Sequence, residues 1–118
     1  MTIIKSYTDL SQSKKLAEIL PLESADMQWF LEEDYGIVQI KEELQDWGGD
    51  CTVPCWSLAA LLDVIPGGQV NRMANSDKWE ASSWNDSDFE PAYYVEDYDN
   101  PVDACVAMIE RLHELKML

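Results

Sequence analysis

Positive charge is scarce in this chain. Of 118 residues only 8 are Lys or Arg, against 23 Asp or Glu, and the formal net charge is −15. Such a surface repels a polyanion, whose binding relies on cations that neutralise phosphates, so direct nucleic-acid binding is not expected. Histidine occurs once, at His113, and cysteine three times, at Cys51, Cys55 and Cys105. An odd number of cysteines without framework spacing does not make a disulfide scaffold. They make a poor zinc set as well, because Cys105 and His113 fall on one expected helix about 12 Å apart along its axis. Cys55 and Cys105 read instead as small core residues. No apolar run approaches the roughly 20 residues that span a membrane. Residues 1–6 have neither the apolar core nor the cleavage site of a signal peptide, so a cytoplasmic location is the expectation. Phosphate cradles are missing too: Gly48-Gly49 and Gly67-Gly68 are isolated pairs with no Lys-Ser or Lys-Thr after them.

What is present describes a folded, acidic object. Hydrophobic residues make up 47% of the chain, too many for a disordered segment. The length suits a single globular domain over residues 1–118. The negative charge comes in two blocks: residues 21–50 and 77–103 each sum to −8, and the stretches between and after them are neutral. Acidic blocks serve solubility, and they also suit a basic protein partner. One version of the second idea is an acidic decoy that occupies the nucleic-acid site of such a partner.

The most legible element is the last. Asn100 is a favoured N-cap, Pro101 fits the first helical position, and Asp103 meets the positive end of the dipole from the third. The spacing of Val102, Cys105, Val106, Ile109, Leu112 and Leu115 predicts an amphipathic helix that docks through this stripe. Asp103, Glu110 and Glu114 face outward, and Lys116 sits in the last turn. A second helix is expected over 54–65, with Pro54 at its first position and Pro66-Gly67-Gly68 ending it; apolar nearly all round, it reads as central and buried. A first helix is expected over 8–20, capped by Asp9 or Ser11 and stopped by Pro21. Residues 22–50 are ambiguous between a hairpin and a short helix, with strand character at residues 36–40 and a breaker at Gly48-Gly49. Residues 69–98 read as short strands with turns at Asn75-Ser76-Asp77 and at Asn85 to Asp88. The expected fold class is α+β, with about three helices packed on a small, mainly antiparallel meander of three to four strands.

The wording of several segments resembles that of a family of short uncharacterised proteins found in gut bacteria of the Bacteroides type and in their phages and mobile elements. Three segments carry the likeness. They are Leu20-Pro21-Leu22-Glu23-Ser24-Ala25-Asp26-Met27, Pro54-Cys55-Trp56-Ser57-Leu58-Ala59-Ala60-Leu61-Leu62-Asp63-Val64-Ile65-Pro66, and Tyr98-Asp99-Asn100-Pro101-Val102-Asp103-Ala104-Cys105-Val106 with Leu112-His113-Glu114-Leu115. The resemblance implies a bacterial or phage origin and residence in the cytoplasm. It carries no activity and no catalytic residues.

Candidates for chemistry are few. Cys55, at the expected start of a helix, is the only attractive nucleophile, but Trp56 and the apolar run place it against the core, and His113 reads as a surface or rim histidine near a helix end. Asp86-x-Asp88-x-Glu90 echoes the opening of a calcium loop, yet Pro91 stands where the sharp turn needs glycine. No catalytic residue, metal site or cofactor is therefore assigned. The aromatics are more suggestive. Trp79 and Trp84 lie five apart, so on one regular strand they point to opposite faces, one into the core and one outward. With Phe89, Tyr93 and Tyr94 they either pack the outer sheet face against helices or make an aromatic surface rimmed by Asp86, Asp88, Glu90 and Glu96, the composition of a protein-recognition face. The expectation is a non-enzymatic interaction module whose partner surface contains Trp79, Trp84, Asp86, Asp88, Glu90, Tyr93 and Tyr94. A carboxylate enzyme using a divalent metal and a self-associating structural subunit are the alternatives.

Overall fold

A computed structural model describes residues 5–32, 35–40, 52–84 and 93–118. Within them the order of elements is α1 (Leu10–Ala17), β1 (Met27–Glu32), β2 (Tyr35–Ile40), β3 (Thr52–Cys55), α2 (Leu58–Val64), β4 (Gln69–Arg72), β5 (Trp79–Ser83), β6 (Tyr93–Tyr98) and α3 (Pro101–Glu114), with a 3-10 turn at Leu22–Ser24. The class is α+β. The expected single sheet is instead two three-stranded antiparallel sheets, ordered β2-β1-β3 and β4-β5-β6.

Over the described part of residues 22–50, the first sheet favours the hairpin, with strands at 27–32 and 35–40. β1 pairs with β2 from Met27 opposite Ile40 to Glu32 opposite Tyr35. Ile37, Val38 and Ile40 are β-branched and suit a pleated strand. Leu44, Trp47, Gly48 and Gly49 lie outside the described residues. The third strand corrects the expected start of the second helix. Pro54 is not a first helical residue; it lies on β3 opposite Gln28. Proline tolerates this place because β3 is the outer strand of the order, where one amide is not needed by the ladder. The helix begins after Ser57, whose hydroxyl accepts the Ala60 amide at 3.2 Å. Asp26 in turn accepts the Ser57 amide at 2.9 Å and its hydroxyl, so the cap is itself held from the β1 side.

The two other helices begin where their caps require. Asp9 and Gln12 form a reciprocal capping box: Asp9 Oδ1 accepts the Gln12 amide at 2.8 Å and Gln12 Oε1 accepts the Asp9 amide at 3.1 Å. Asn100 Oδ1 accepts the Asp103 amide at 2.8 Å, with Pro101 in the first turn of α3. Val102, Cys105, Val106, Ile109 and Leu112 are buried as the stripe required, joined by Ala104 and Met108. Leu115 departs from it and is 45% exposed, because the helix stops at Glu114 and the chain turns away. Lys116 is not in the last turn but beyond it, at φ 60°.

The core lies between α3, α2 and the β4-β5-β6 sheet, with Leu16 and Leu20 closing one end and Trp56 fully buried. Burying an aromatic of this size removes about 150–250 Å² from water, worth up to about 4–6 kcal/mol against an extended chain. The Trp56 indole N–H is satisfied by Ser24 Oγ at 3.0 Å. The segment before α1 runs antiparallel beside Trp56–Leu58: Thr8 N donates to Trp56 O at 3.0 Å and Leu58 N to Ser6 O at 3.0 Å. Thr8 is buried by this pairing, and its hydroxyl is shared with Ser13 Oγ at 2.7 Å and accepts the Trp56 amide at 3.1 Å. A buried polar group costs little when every bond is made, so this network fixes the entry of α1 without weakening the core.

Candidate functional site

The meander positions the aromatics, and its register sorts them by face. Ala81 stands between Val70 on β4 and Val95 on β6, and Trp79 stands opposite Tyr98. Val70, Trp79, Ala81, Val95 and Tyr98 all pack on the core, so this face of the sheet is the one covered by α3. Side chains alternate along a strand, which puts Ser82 and its partner position Tyr94 on the opposite face. Trp84 joins that face, its indole N–H donating to Ser82 Oγ at 2.9 Å. The two tryptophans thus take opposite sides, as their spacing required. Trp79 is the one held by the core.

The turn after α2 anchors this end of the sheet. Pro66 O accepts from Ser83 Oγ at 2.7 Å and from the Trp84 amide at 3.2 Å. Gly67 occupies the left-handed region at φ 56°, and a Cβ there would lie 2.4 Å from the Trp84 carbonyl oxygen. Only glycine fits both demands.

At the far end, β6 carries one more residue than β5 between the Ala81–Val95 and Trp79–Tyr98 pairs, a bulge in which Asp97 adopts φ 71°. A bulge bends the strand and re-aims its side chains. Glu96, Asp97 and Asp99 are all exposed. Asp99 is paired with Lys78, and this hydrogen bond and charge hold the lysine above its ordinary pKa. Among the described residues neither Glu96 nor Asp97 forms an ion pair, and nor does Arg111.

Tyr93, Tyr94, Val95, Glu96 and Tyr98 line a groove of about 490 Å³ whose other wall is Arg111 of α3. Residues from both faces of β6 border it, so the groove follows the flank of the strand and not one face of the sheet. Tyr94 is 58% exposed, the most exposed large apolar side chain among the described residues. Of the residues expected on a partner surface, the structure therefore brings Tyr93 and Tyr94 together. It places Trp79 against the core and Trp84 against Ser82. Asp86, Asp88 and Glu90, with Phe89, lie outside the described residues. Tyr98 and Arg111 were missed. Tyr98 lies beyond the apolar run that marks the strand in the sequence. Arg111 is polar and adjoins the buried Leu112, and only the packing of α3 on β6 shows which sheet edge it overhangs.

A second groove of about 400 Å³ lies where α1 meets the end of α3, lined by Lys15, Glu18, Ile19, Glu110, His113 and Glu114. Lys15 and Glu110 are 3.6 Å apart across it, an exposed pair of small energetic weight. Its charges are mixed and it holds no aromatic anchor.

The residues considered for catalysis are kept apart. Cys55 is buried, its thiol 3.4 Å from Thr8 O and 3.5 Å from Thr8 Oγ1, and burial pushes its pKa up despite those hydrogen bonds. Cys105 is buried among apolar side chains, which drives its pKa to about 12. His113 is exposed, with Nδ1 3.2 Å from Leu118 O. Cys51 lies outside the described residues. Among the described residues no group of three or more His, Cys, Asp or Glu is placed to hold a metal ion, and no helix is long and apolar enough to cross a membrane.

No family model, no curated protein and no solved structure matches this chain.

Proposed function

We propose that this protein is a small, non-enzymatic, cytoplasmic interaction module that binds a basic protein partner through the groove between β6 and α3. The observation that carries the reading is the composition of that groove: three tyrosines, and one arginine without an ion-pair partner among the described residues, around about 490 Å³. Tyrosine and arginine are the residues that most often anchor protein interfaces, since each offers a large contact area with a polar end. The second support is electrostatic. The chain carries −15, and Glu96 and Asp97 stand exposed beside the groove. A basic surface would be steered toward it and held by short-range contacts to the tyrosines. The resemblance of residues 20–27, 54–66, 98–106 and 112–115 to proteins of Bacteroides-type bacteria and their mobile elements favours a host of that kind as the place to look. An acidic decoy for a nucleic-acid-handling protein is the more specific form of the same proposal.

Affinity capture from such a host, with wild-type bait and with Tyr94→Ala, tests it. Because Tyr94 projects outward, its truncation should leave the fold intact and weaken capture about tenfold. Raised salt should weaken capture further. A partner held equally well by the wild type and by both Tyr94→Ala and Arg111→Ala would remove this surface from consideration.

A further inference from the structure

We infer that β6 is an acceptor strand: an extended, basic segment of the partner adds to its outer edge and becomes a fourth strand of the β4-β5-β6 sheet. The inference rests on the proposed interaction surface and specifies how it is used.

Three observations lead to it. In the order β4-β5-β6, β6 is the last strand among the described residues, and the groove lies along it. Edge amides and carbonyls that lack a ladder partner are a template for a further chain. The groove is bordered by residues whose side chains alternate between the two faces of β6, Tyr93 and Val95 on one and Tyr94 and Glu96 on the other, which fits a groove along the strand edge. Its far wall is a helix. A groove between a strand edge and a helix gives an added strand hydrogen bonds on one side and side-chain contacts on the other. The opposite edge of the sheet lacks these features. β4 is only four residues long, with Gln69, Asn71 and Arg72 exposed.

The bulge sets the length of the site. Pairing with β5 is interrupted after Val95 by the bulge of Glu96 and Asp97, and the strand turns at Asp97 with φ 71°, so the acceptor stretch is Tyr93 to Glu96, about 13 Å of strand. The charges set the occupant. Acidic residues and bulges on an edge strand guard against pairing with other apolar edges. Here Glu96 and Asp97 reject apolar or acidic segments and admit one whose side chains are basic. Arg111 opposite has no ion pair among the described residues, and its guanidinium can donate to carbonyl oxygens of the incoming chain.

The test uses the whole protein and a synthetic probe, the blocked hexapeptide Lys-Val-Lys-Val-Lys-Val. Its Glu-Val counterpart reverses the charge. Two further analogues carry backbone N-methyl groups, one on every lysine amide and one on every valine amide. In a strand, alternate amides point to the same edge, so only one of the two analogues loses its bonds to β6. The lysine peptide should bind, and at ten times its Kd should slow exchange of the outward-pointing amides, every second one from Tyr93 to Glu96, roughly tenfold. The glutamate peptide should not bind. One N-methylated analogue should bind like the parent, and the other at least about tenfold more weakly. Equal behaviour of the two analogues, absence of binding by the lysine peptide at millimolar concentration, or slowed exchange only elsewhere would overturn strand addition. If capture of a partner still depends on Tyr94 in that event, the surface stands and only its mode of use falls. If capture is indifferent to Tyr94, the surface itself falls.

Discussion

Lys5 and Asp103, 98 positions apart in the chain, meet at 3.0 Å between Nζ and Oδ1. The same ammonium donates to Asp9 Oδ2 at 2.8 Å and to Gln12 Oε1 at 2.7 Å. Gln12 Nε2 donates to Asp103 Oδ1 at 2.7 Å, and Asn100 Nδ2 donates to Asp103 Oδ2 at 2.9 Å. One lysine thus clasps the first turns of α1 and α3 together, where both helix dipoles favour the two carboxylates. Asp103, expected to face outward on α3, is partly buried by this clasp, with 33% of its side chain exposed.

The clasp gives stability a defined dependence on pH. Burial raises the carboxyl pKa of Asp103 and Asp9, but the bonds from Gln12, Lys5 and Asn100 to the first, and from Lys5 and the Gln12 amide to the second, outweigh it and hold both below the usual carboxylate value. Burial lowers the pKa of Lys5, and its bonds to Asp9 and Asp103 outweigh that and hold it above the usual lysine value. Depressed carboxyl groups contribute stability that is present above their unfolded pKa and lost as pH falls through the folded one. A raised lysine contributes stability present below its unfolded pKa and lost as pH rises through the folded one. The clasp should therefore act fully between about pH 5 and pH 10. Urea unfolding of wild type and Lys5→Met should differ by about 1–2 kcal/mol at pH 7, discounted for partial exposure. At pH 2 the difference should largely vanish. A gap that persists undiminished in acid would mean that Lys5 contributes through its bond to the uncharged Gln12 and not through the ionised carboxylates.

Gly67→Ala should be among the most damaging single-methyl changes in the chain. The left-handed backbone alone costs an alanine about 1–3 kcal/mol, and the added carbon would lie 2.4 Å from the Trp84 carbonyl oxygen. The turn must move, taking with it the two bonds that Pro66 O accepts from Ser83 and Trp84. Thermal unfolding should show a fall in Tm well beyond that of Ala59→Gly, an exposed change within α2. A Gly67→Ala protein as stable as wild type would mean that the turn adopts another conformation in solution.

How much of this could be read in advance follows from the range of the interactions. The caps of α3 are local, and Asn100, Pro101 and the apolar stripe gave its start and its buried face without help from the rest of the chain. The same logic failed at Pro54. A proline preceding an apolar run signals a helix start, and an edge strand tolerates proline equally well. Only the pairing of β3 with β1, between residues some 25 apart in sequence, decides between them. The division into two sheets is likewise a matter of long-range pairing. At the candidate site Tyr93 and Tyr94 were legible as an aromatic pair, but the groove needs Arg111, which α3 brings to β6 by packing. Lys5 carried no signal at all, because its three partners lie on two separate helices.

Cys55 and Cys105 should be inert in the folded protein. Both are fully buried, and burial pushes the Cys105 thiol to about 12 and the Cys55 thiol upward, so at neutral pH neither supplies thiolate. Alkylation with iodoacetamide at pH 8, read residue by residue in a mass spectrometer, should leave both unmodified in native buffer and modify both in urea. Rapid native labelling of Cys55 would reopen its reading as a nucleophile at a helix start.

Lys116→Gly should stabilise the protein. The end of α3 has the hydrogen bonds of a Schellman motif: Met117 N donates to Leu112 O at 2.9 Å and Lys116 N to His113 O at 3.0 Å. That motif usually places glycine at the left-handed position, and here Lys116 occupies it at φ 60°. A side chain there costs about 1–2 kcal/mol, part of which glycine returns through its greater freedom when unfolded. Lysine also gains from the negative end of the helix dipole, so the proper reference is Lys116→Ala, which removes the charge and keeps the Cβ. Lys116→Gly should exceed Lys116→Ala in stability by about 1 kcal/mol, seen as a higher urea midpoint at an unchanged slope. Equal midpoints would mean that the helix frays before Lys116 and that the left-handed turn is not held in solution. Leu115 and Met117 would then be released with it, and the exposed apolar end of α3 would be a loose segment and not a fixed surface.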